Sequence, residues 1–129
     1  MPENLHKDLT YVIIGVLFEV HKYLGKGFAE IVYKDAVEYE FTCRNIPFVR
    51  EKEYSVRYKD TFLKHKFYCD FVVYDKIILE IKSAESLCAI HTSQCLNYLK
   101  VSECELALLV NFNNSSLEYK RVISSIPTN

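Results

Sequence analysis

The sequence predicts a single α/β domain in which a mixed sheet is flanked by helices, in the order α-α-β-β-β-α-β-β. Three observations indicate this class: apolar residues recur at helical spacing up to residue 44, alternate with polar ones between residues 48 and 81, and form an unbroken run at 106–110. A chain of 129 residues has the length of one domain, so residues 1–129 are expected to fold as one unit.

Two amphipathic helices are predicted before the strands. The first has apolar residues at helical spacing from Leu5 to Leu24, and Gly25 and Gly27 end it. The second is expected from Phe28 to Arg44, because Asn45-Ile46-Pro47 then breaks the helix. The positions predicted to face inward are Leu5, Leu9, Val12, Ile13, Val16, Leu17, Val20, Tyr23, Leu24, Ile31, Val32, Ala36 and Val37.

A hydrophobic hairpin is predicted between Phe67 and Lys82. The odd-numbered residues of both strands form an unbroken apolar face, and the even-numbered face carries every charge. Opposed residues of antiparallel strands share a face, so keeping the apolar sets together requires a loop of odd length, most simply Tyr74-Asp75-Lys76. This register places Asp70 opposite Glu80, with Lys82 further along the same face.

The last third of the chain predicts one helix and two strands. The helix is expected from Leu87 to Lys100. Leu106 to Val110 is continuously apolar, which is typical of a strand buried on both faces. Leu117 to Ile123 is predicted as an edge-like strand, and Pro127 to Asn129 as a frayed tail.

The composition is that of a folded protein and excludes several classes. The net charge of −1 excludes a basic coat for nucleic acid, so any polyanion site must be a local patch. Five cysteines without a C-x-x-C pair indicate reduced thiols and a cytoplasmic location. The longest uncharged stretch near the start, Leu9 to Phe18, has ten residues, which is too short to span a membrane, and no membrane partner is expected.

The pattern that points to chemistry is Asp70-x9-Glu80-x-Lys82. Two carboxylates that converge on one face suit a hard divalent cation such as Mg²⁺ or Mn²⁺, and the backbone carbonyl of Ile81 is a candidate third ligand. Lys82 beside this cation would orient a water or stabilise charge on a phosphate. The alternative is a solvated cross-strand network worth ~0–1 kcal/mol. Charges on so hydrophobic a hairpin carry a desolvation cost, which favours the metal site.

The third helix offers candidate substrate contacts. His91, Gln94 and Tyr98 have the spacing i, i+3 and i+7 and so share one helix face. Gln94 would bond to a catalytic water or a phosphate, and Tyr98 would stack or donate. A polar helix face is the simpler interpretation of the spacing alone. A basic cluster precedes the hairpin and consists of Lys59, Lys64, His65 and Lys66. It would either contact phosphates or simply form the solvated end of a strand.

A second metal hypothesis rests on soft ligands. Cys88, His91 and Cys95 also share a helix face, and Cys104 is the candidate fourth ligand of a structural zinc site. Without a C-x-x-C pair, buried free thiols are the default interpretation of these cysteines.

Five motifs together are similar to a known family. Gly27 to Tyr33 has the spacing G-x-x-E-x-x-Y, and four segments follow it in the family's order: Cys69–Val73, Leu79–Ser83, His91–Leu99 and Leu109–Phe112. From about Leu5 to Ile123 the chain resembles the GxxExxY protein family, a branch of the PD-(D/E)XK nuclease-like superfamily.

The resemblance implies a restriction-endonuclease-like core and Mg²⁺-dependent hydrolysis of phosphodiester bonds in nucleic acid, with DNA favoured. By position, it implies that Asp70 and Glu80 hold the metal, that Lys82 assists the water and that Gln94 is an accessory on the helix. It further implies that Glu30 completes the site. Taken alone, a glutamate at a helix start only complements the helix dipole.

Two classes of function stay open. One is the metal-dependent nuclease, and the other is a catalytically silent nuclease-like domain that binds protein or nucleic acid. Because 129 residues leave little room for both an active site and a substrate clamp, a homodimer that holds duplex between two sites is the hypothesis for assembly.

Overall fold

The computed structural model describes residues 5–124, and its elements follow the predicted order. They are α1 (Lys7–Leu24), α2 (Glu30–Cys43), β1 (Phe48–Tyr58), β2 (Thr61–Val73), β3 (Ile77–Lys82), α3 (Ala89–Val101), β4 (Leu106–Asn111) and β5 (Glu118–Ile123). The helix starts differ from the predicted ones by two residues in α2 and α3. The tail predicted at Pro127–Asn129 lies outside the described residues.

The five strands form one mixed sheet in the order β1-β2-β3-β4-β5. Strands β3 and β4 run parallel, and the other neighbours are antiparallel. Helices α1 and α2 cover one face of the sheet, and α3 covers the other. Every residue of β4 is buried, as its apolar run predicts, and β5 lies at the sheet edge. The predicted α/β class and helix-flanked mixed sheet are therefore confirmed.

The β2–β3 hairpin has the predicted turn and register. Val73 pairs with Ile77, and the N–H of Lys76 donates to the carbonyl of Val73 at 3.1 Å, which leaves the expected three-residue loop. Tyr74 and Asp75 close it with φ angles of 57° and 56°, in the left-handed region. The same register places Asp70 in line with Glu80.

The prediction of one unbroken apolar face on this hairpin is wrong. Phe71 packs with α1 and α2, whereas Cys69 packs in the cluster under α3. The alternation therefore switches sides at Asp70. Opposite this point in β1, between the paired residues Arg50 and Lys52, Glu51 has a φ of 53°. A left-handed residue inside a strand interrupts the regular pleat, which accounts for the change of face.

Three positions predicted to face inward are exposed instead: Val12 (40%), Tyr23 (88%) and Ile31 (55%). Two helices share one face of the sheet, so each buries a narrower stripe than its apolar pattern suggests. In α1 the buried apolar stripe consists of Ile13, Val16, Leu17 and Val20.

Among the described helices none is long and apolar enough to cross a membrane. All five cysteines are free thiols.

Tyr33 joins the α1–α2 connection to the core. Its ring stacks on Phe112 with centroids 4.4 Å apart, and it is fully buried. Its hydroxyl donates to the carbonyl of Gly25 at 2.6 Å and accepts from the N–H of Phe28 at 3.3 Å. Gly25 has a φ of 69°, which few other residues adopt without strain. The hydroxyl therefore holds the segment that precedes α2.

Tyr33→Phe should lower the free energy of unfolding by about 1–2 kcal/mol, because a backbone carbonyl and an N–H both lose their partner while the ring is kept. Urea denaturation followed by circular dichroism measures the change. Tyr11→Phe, at an 81% exposed position, is the control and should stay within about 0.5 kcal/mol of wild type. Equal stability of the two variants would contradict this role for the hydroxyl.

Candidate functional site

Asp70 and Glu80 meet at the point where β2 and β3 part. Backbone pairing ends at Phe71 and Leu79, and side chains then take over. The N–H of Asp70 donates to Glu80 Oε2 at 2.6 Å, and the N–H of Ile81 donates to Asp70 Oδ2 at 2.7 Å. Both residues are buried, with exposures of 7% and 3%. Each carboxylate thus serves as the acceptor for a strand N–H and keeps the two backbones apart.

Lys34 of α2 is the counter-ion of this pair, a role that its position in the sequence does not predict. Its Nζ lies 2.7 Å from Asp70 Oδ1 and 3.6 Å from Glu51 Oε1. Burial disfavours the charged ammonium and by itself lowers the pKa of Lys34. The hydrogen bond and charge of Asp70, followed by the charges of Glu51 and Glu30, have the larger effect, so the pKa is raised. The i, i+4 spacing from Glu30 to Lys34 was the one available signal, because it places both on one helix face.

Burial, followed by the charge of Asp70, raises the pKa of Glu80 to about 8. The N–H of Asp70 and the charges of Lys82 and Lys34 act in the opposite direction without cancelling this effect. At neutral pH the Asp70–Glu80 pair therefore holds a proton. An added positive charge at the pair would favour its release.

Ile81 and Lys82 lie beside the pair as predicted from their positions in β3. The N–H of Ile81 points to Asp70. In a strand, the N–H and the C=O of one residue point to the same neighbouring strand. The Ile81 carbonyl therefore faces the same gap between β3 and β2. Lys82 follows Glu80 by two residues and is half-buried. Ile78 of β3 packs in the cluster under α3, and alternation along the strand places Glu80 and Lys82 on that same side of the sheet.

Glu30 is the first residue of α2 and reaches the segment that follows β3. Its Oε2 accepts from the N–H of Ser83 at 3.4 Å, and Ser83 Oγ donates to the carbonyl of Phe28 at 2.8 Å. Buried Asn111 accepts from the N–H of Ala84 at 3.0 Å and donates to its carbonyl at 2.9 Å. Asn111 therefore holds the segment that follows β3, and the sequence signal for it is a polar residue at the end of an apolar strand.

Tyr98 borders the carboxylate pair on the α3 side. Its hydroxyl donates to the carbonyl of Tyr68 at 3.2 Å, and its ring meets Phe67 edge-to-face at 5.7 Å. Burial, then the charges of Glu80 and Asp70, raises the pKa of Tyr98, so the phenol keeps its proton. Tyr98 therefore connects α3 to β2 next to the site.

The other α3 candidates are further from the pair. Gln94 is exposed, and across residues 5–124 no hydrogen bond joins it to the carboxylates. His91 caps its own helix, because its Nδ1 accepts from the N–H of Cys88 at 3.2 Å. Within the described part of the chain, no three His, Cys, Asp or Glu side chains are grouped to hold a metal ion. The zinc hypothesis, which needs Cys88, His91, Cys95 and Cys104 together, is therefore wrong.

The donors at the pair are suited to a hard divalent cation. Asp70, Glu80 and the Ile81 carbonyl offer oxygen atoms, which Mg²⁺ and Mn²⁺ prefer, and water or substrate would complete their coordination. A cation there would also supply the positive charge that releases the proton of Glu80. The residues present thus fit such an ion.

The mixed sheet places an acidic pair and a lysine on adjacent strands, and comparison with known proteins identifies the superfamily of this domain. The profile of the PD-(D/E)XK nuclease superfamily matches residues 7–122, and the chain belongs to this superfamily. The crystal structure of SSO0001 has a similar fold over 74% of this chain, with a TM-score of 0.58 and 18% sequence identity. The aligned part spans half the length of SSO0001. No curated protein matches the chain.

In EDTA, the protein should lose stability as the pH rises from about 5 to 8. Glu80 keeps its proton in the folded state up to a pKa of about 8, whereas in the unfolded chain it ionises near 4.5. The unfolded state therefore binds fewer protons over this range, with a limiting slope of ~1.4 kcal/mol per pH unit. Urea denaturation across the range measures it.

Glu80→Gln should remove most of this slope, and exposed Glu85→Gln should leave it unchanged. Identical slopes in wild type and Glu80→Gln would show that another group is responsible.

Proposed function

We propose that this protein is a Mg²⁺- or Mn²⁺-dependent nuclease that hydrolyses phosphodiester bonds of nucleic acid, with DNA favoured. The observation that carries the proposal is the buried Asp70–Glu80 pair with Lys82 on the same strand, in a domain of this superfamily. Asp70 and Glu80-Ile81-Lys82 match the D and (D/E)-x-K of the superfamily name.

The proposed role of each residue follows from its position. Asp70, Glu80 and the carbonyl of Ile81 would hold the metal, which when bound polarises a phosphate and supplies an activated water. Lys82, half-buried next to Glu80, orients the attacking water and stabilises charge on the phosphate. Glu30 would act from the start of α2 through its contact with Ser83, because within residues 5–124 it is not grouped with Asp70 and Glu80 as a third carboxylate ligand.

Three α3 residues are assigned weaker roles. Gln94 is the accessory that supports the water, and Tyr98 and His91 are substrate contacts. Tyr98 is the best supported of these, because it already borders the pair. Gln94 would act from the exposed face of α3 once a substrate is present.

Within the superfamily we place the chain in the GxxExxY group. The segment Gly27–Tyr33 supports this, because two of its defining residues have distinct contacts. Tyr33 holds the α1–α2 connection through Gly25, and Glu30 contacts Ser83 after β3. The motif thus joins the start of α2 to the end of the strand that carries Glu80 and Lys82.

The proposal includes a cytoplasmic location and a homodimer. Five free thiols agree with a reducing compartment. Two copies would present two such sites to one nucleic-acid molecule.

Titration calorimetry with Mn²⁺ tests the metal site. Wild type should bind, and Asp70→Asn and Glu80→Gln should each weaken binding at least tenfold. Lys34→Met should bind more tightly than wild type, because its ammonium no longer competes for Asp70 Oδ1. Glu85→Gln is the exposed control. Unchanged binding in the Asp70→Asn/Glu80→Gln double variant would place the metal elsewhere.

A panel of labelled single-strand, duplex, flap and junction substrates, incubated with Mg²⁺ or Mn²⁺, tests the reaction. Lys82→Ala should reduce cleavage about 100-fold or more while the fold and Mn²⁺ binding persist, because the loss falls on the transition state. Lys76→Ala, in the exposed hairpin turn, is the matched control. Equal rates in wild type and Lys82→Ala would point to a contaminant or to another site.

The second candidate function is a silent binding module, and one observation favours it. Three of the four carboxylate oxygens of Asp70 and Glu80 already accept protein partners, namely Lys34 and two backbone N–H groups. In that case Lys34 takes the place of the metal, and the pair only separates the strands. Absence of cleavage, together with unchanged nucleic-acid binding by Asp70→Asn and Glu80→Gln, would support this alternative.

A further inference from the structure

The β1–β2 hairpin extends beyond the rest of the sheet. Its strands have 11 and 13 residues, whereas β3, β4 and β5 have 6 each. We call residues 52–68 the arm. The arm carries five cations and two carboxylates, a net charge of +3 in a chain whose net charge is −1. The charged residues are Lys52, Glu53, Arg57, Lys59, Asp60, Lys64 and Lys66. The arm thus carries an excess of positive charge that the average charge of the chain conceals.

A cleft of about 530 Å³ lies between the arm and the C-terminal half of α3. The arm contributes Arg57, Phe62 and Phe67 to its lining, and α3 contributes Asn97 and Lys100. A register shift between Ser55 and Arg57 in β1 brings Arg57 opposite Phe62. The arm and the helix therefore present two cations, aromatic rings and an amide to one space.

Phe62 is available to a ligand in this cleft. Its side chain is 63% exposed, and the guanidinium carbon of Arg57 lies 5.8 Å from its ring centroid. Phe67, by contrast, is held by its edge-to-face contact with Tyr98. The Phe62 ring is therefore largely open to solvent beside the Arg57 guanidinium, and the Phe67 ring forms part of the wall.

This lining has the chemistry that binds single-stranded nucleic acid. Cations contact phosphates, an exposed ring stacks on a base, and an amide bonds to a base edge. The cleft volume is in the range of small-molecule pockets, which suits one or two nucleotides rather than a duplex. Asn97 and Lys100 lie on the side opposite the arm, so base and phosphate can be held together.

The cleft also adjoins the carboxylate pair. Phe67 precedes Asp70 by three residues on β2, a distance of ~10 Å along the strand. Tyr98, which contacts Phe67, follows Asn97 directly in α3. The Tyr98–Phe67 contact therefore lies between the cleft and Asp70, and a strand bound in the cleft would cross this contact to reach the pair.

We infer that the cleft between the arm and α3 binds a single-stranded segment of a polynucleotide and leads it to the carboxylate pair. The inference rests on the proposed function and deepens it by naming the substrate class. A second copy of the chain is a poorer occupant, because symmetric pairing of two arms would bring together two patches of charge +3.

Fluorescence anisotropy in EDTA tests binding without cleavage, with labelled oligothymidylate and oligouridylate of about a dozen nucleotides as probes. Phe62→Ala should weaken binding about tenfold, and Phe62→Leu, which keeps an apolar side chain, should weaken it similarly because stacking is lost. Tyr11→Ala, at another exposed aromatic position, should bind like wild type.

Arg57→Ala/Lys100→Ala should also weaken binding at least tenfold. The slope of log affinity against log salt concentration should fall by about the contribution of one to two phosphate contacts. Lys76→Ala is the control for charge. Equal affinity of wild type, Phe62→Ala and Arg57→Ala/Lys100→Ala would overturn the inference. The inference would also be overturned if a duplex bound as tightly as the single strands. It would likewise be overturned if the only effect of an arm variant were to convert a dimer to a monomer in light scattering.

The two proposals fail in different ways. Binding that depends on Phe62 and Arg57, with no cleavage of any substrate, supports the cleft and overturns the nuclease. Cleavage that is lost in Lys82→Ala but unaffected in Phe62→Ala and Arg57→Ala/Lys100→Ala supports the nuclease and overturns the cleft.

Discussion

The hydrogen bonds between the Asp70 and Glu80 segments separate β2 from β3, and the candidate site depends on that separation. Two antiparallel strands would ordinarily continue to pair through their backbones. Here the N–H groups of Asp70 and Ile81 find carboxylate acceptors instead, so the strands part without leaving a buried donor unpaired. The carbonyl of Ile81 then faces this buried gap between the two strands.

Placing two carboxylates side by side away from water has an electrostatic cost. Lys34 offsets part of it from α2, and Glu80 offsets more by keeping a proton up to a pKa of about 8. Glu51, in a left-handed conformation inside β1, lies at the same point and contacts Lys34. Like charges, a raised pKa and a strained backbone residue in one place are typical of functional sites.

Helix α3 adjoins both the carboxylate pair and the cleft beside the arm. Cys95 in its middle packs in one cluster with Ile78 of β3, two residues before Glu80, and its C-terminal half lines the cleft beside the arm with Asn97 and Lys100. The contact of Tyr98 with Phe67 lies between them. An acidic pair, which Lys34 also contacts from α2, and a basic cleft therefore both lie along α3, although the whole chain has almost no net charge.

The sequence by itself determined the element order, the three-residue turn and the register that sets Asp70 against Glu80. These depend on local periodicity and on turn length, which neighbouring residues in the chain specify. Only the tertiary structure decided that Lys34 is the counter-ion, that the strand changes face at Asp70 and that Val12 faces water. Such outcomes depend on which helix covers which side of the sheet, and hence on contacts between residues far apart in the chain.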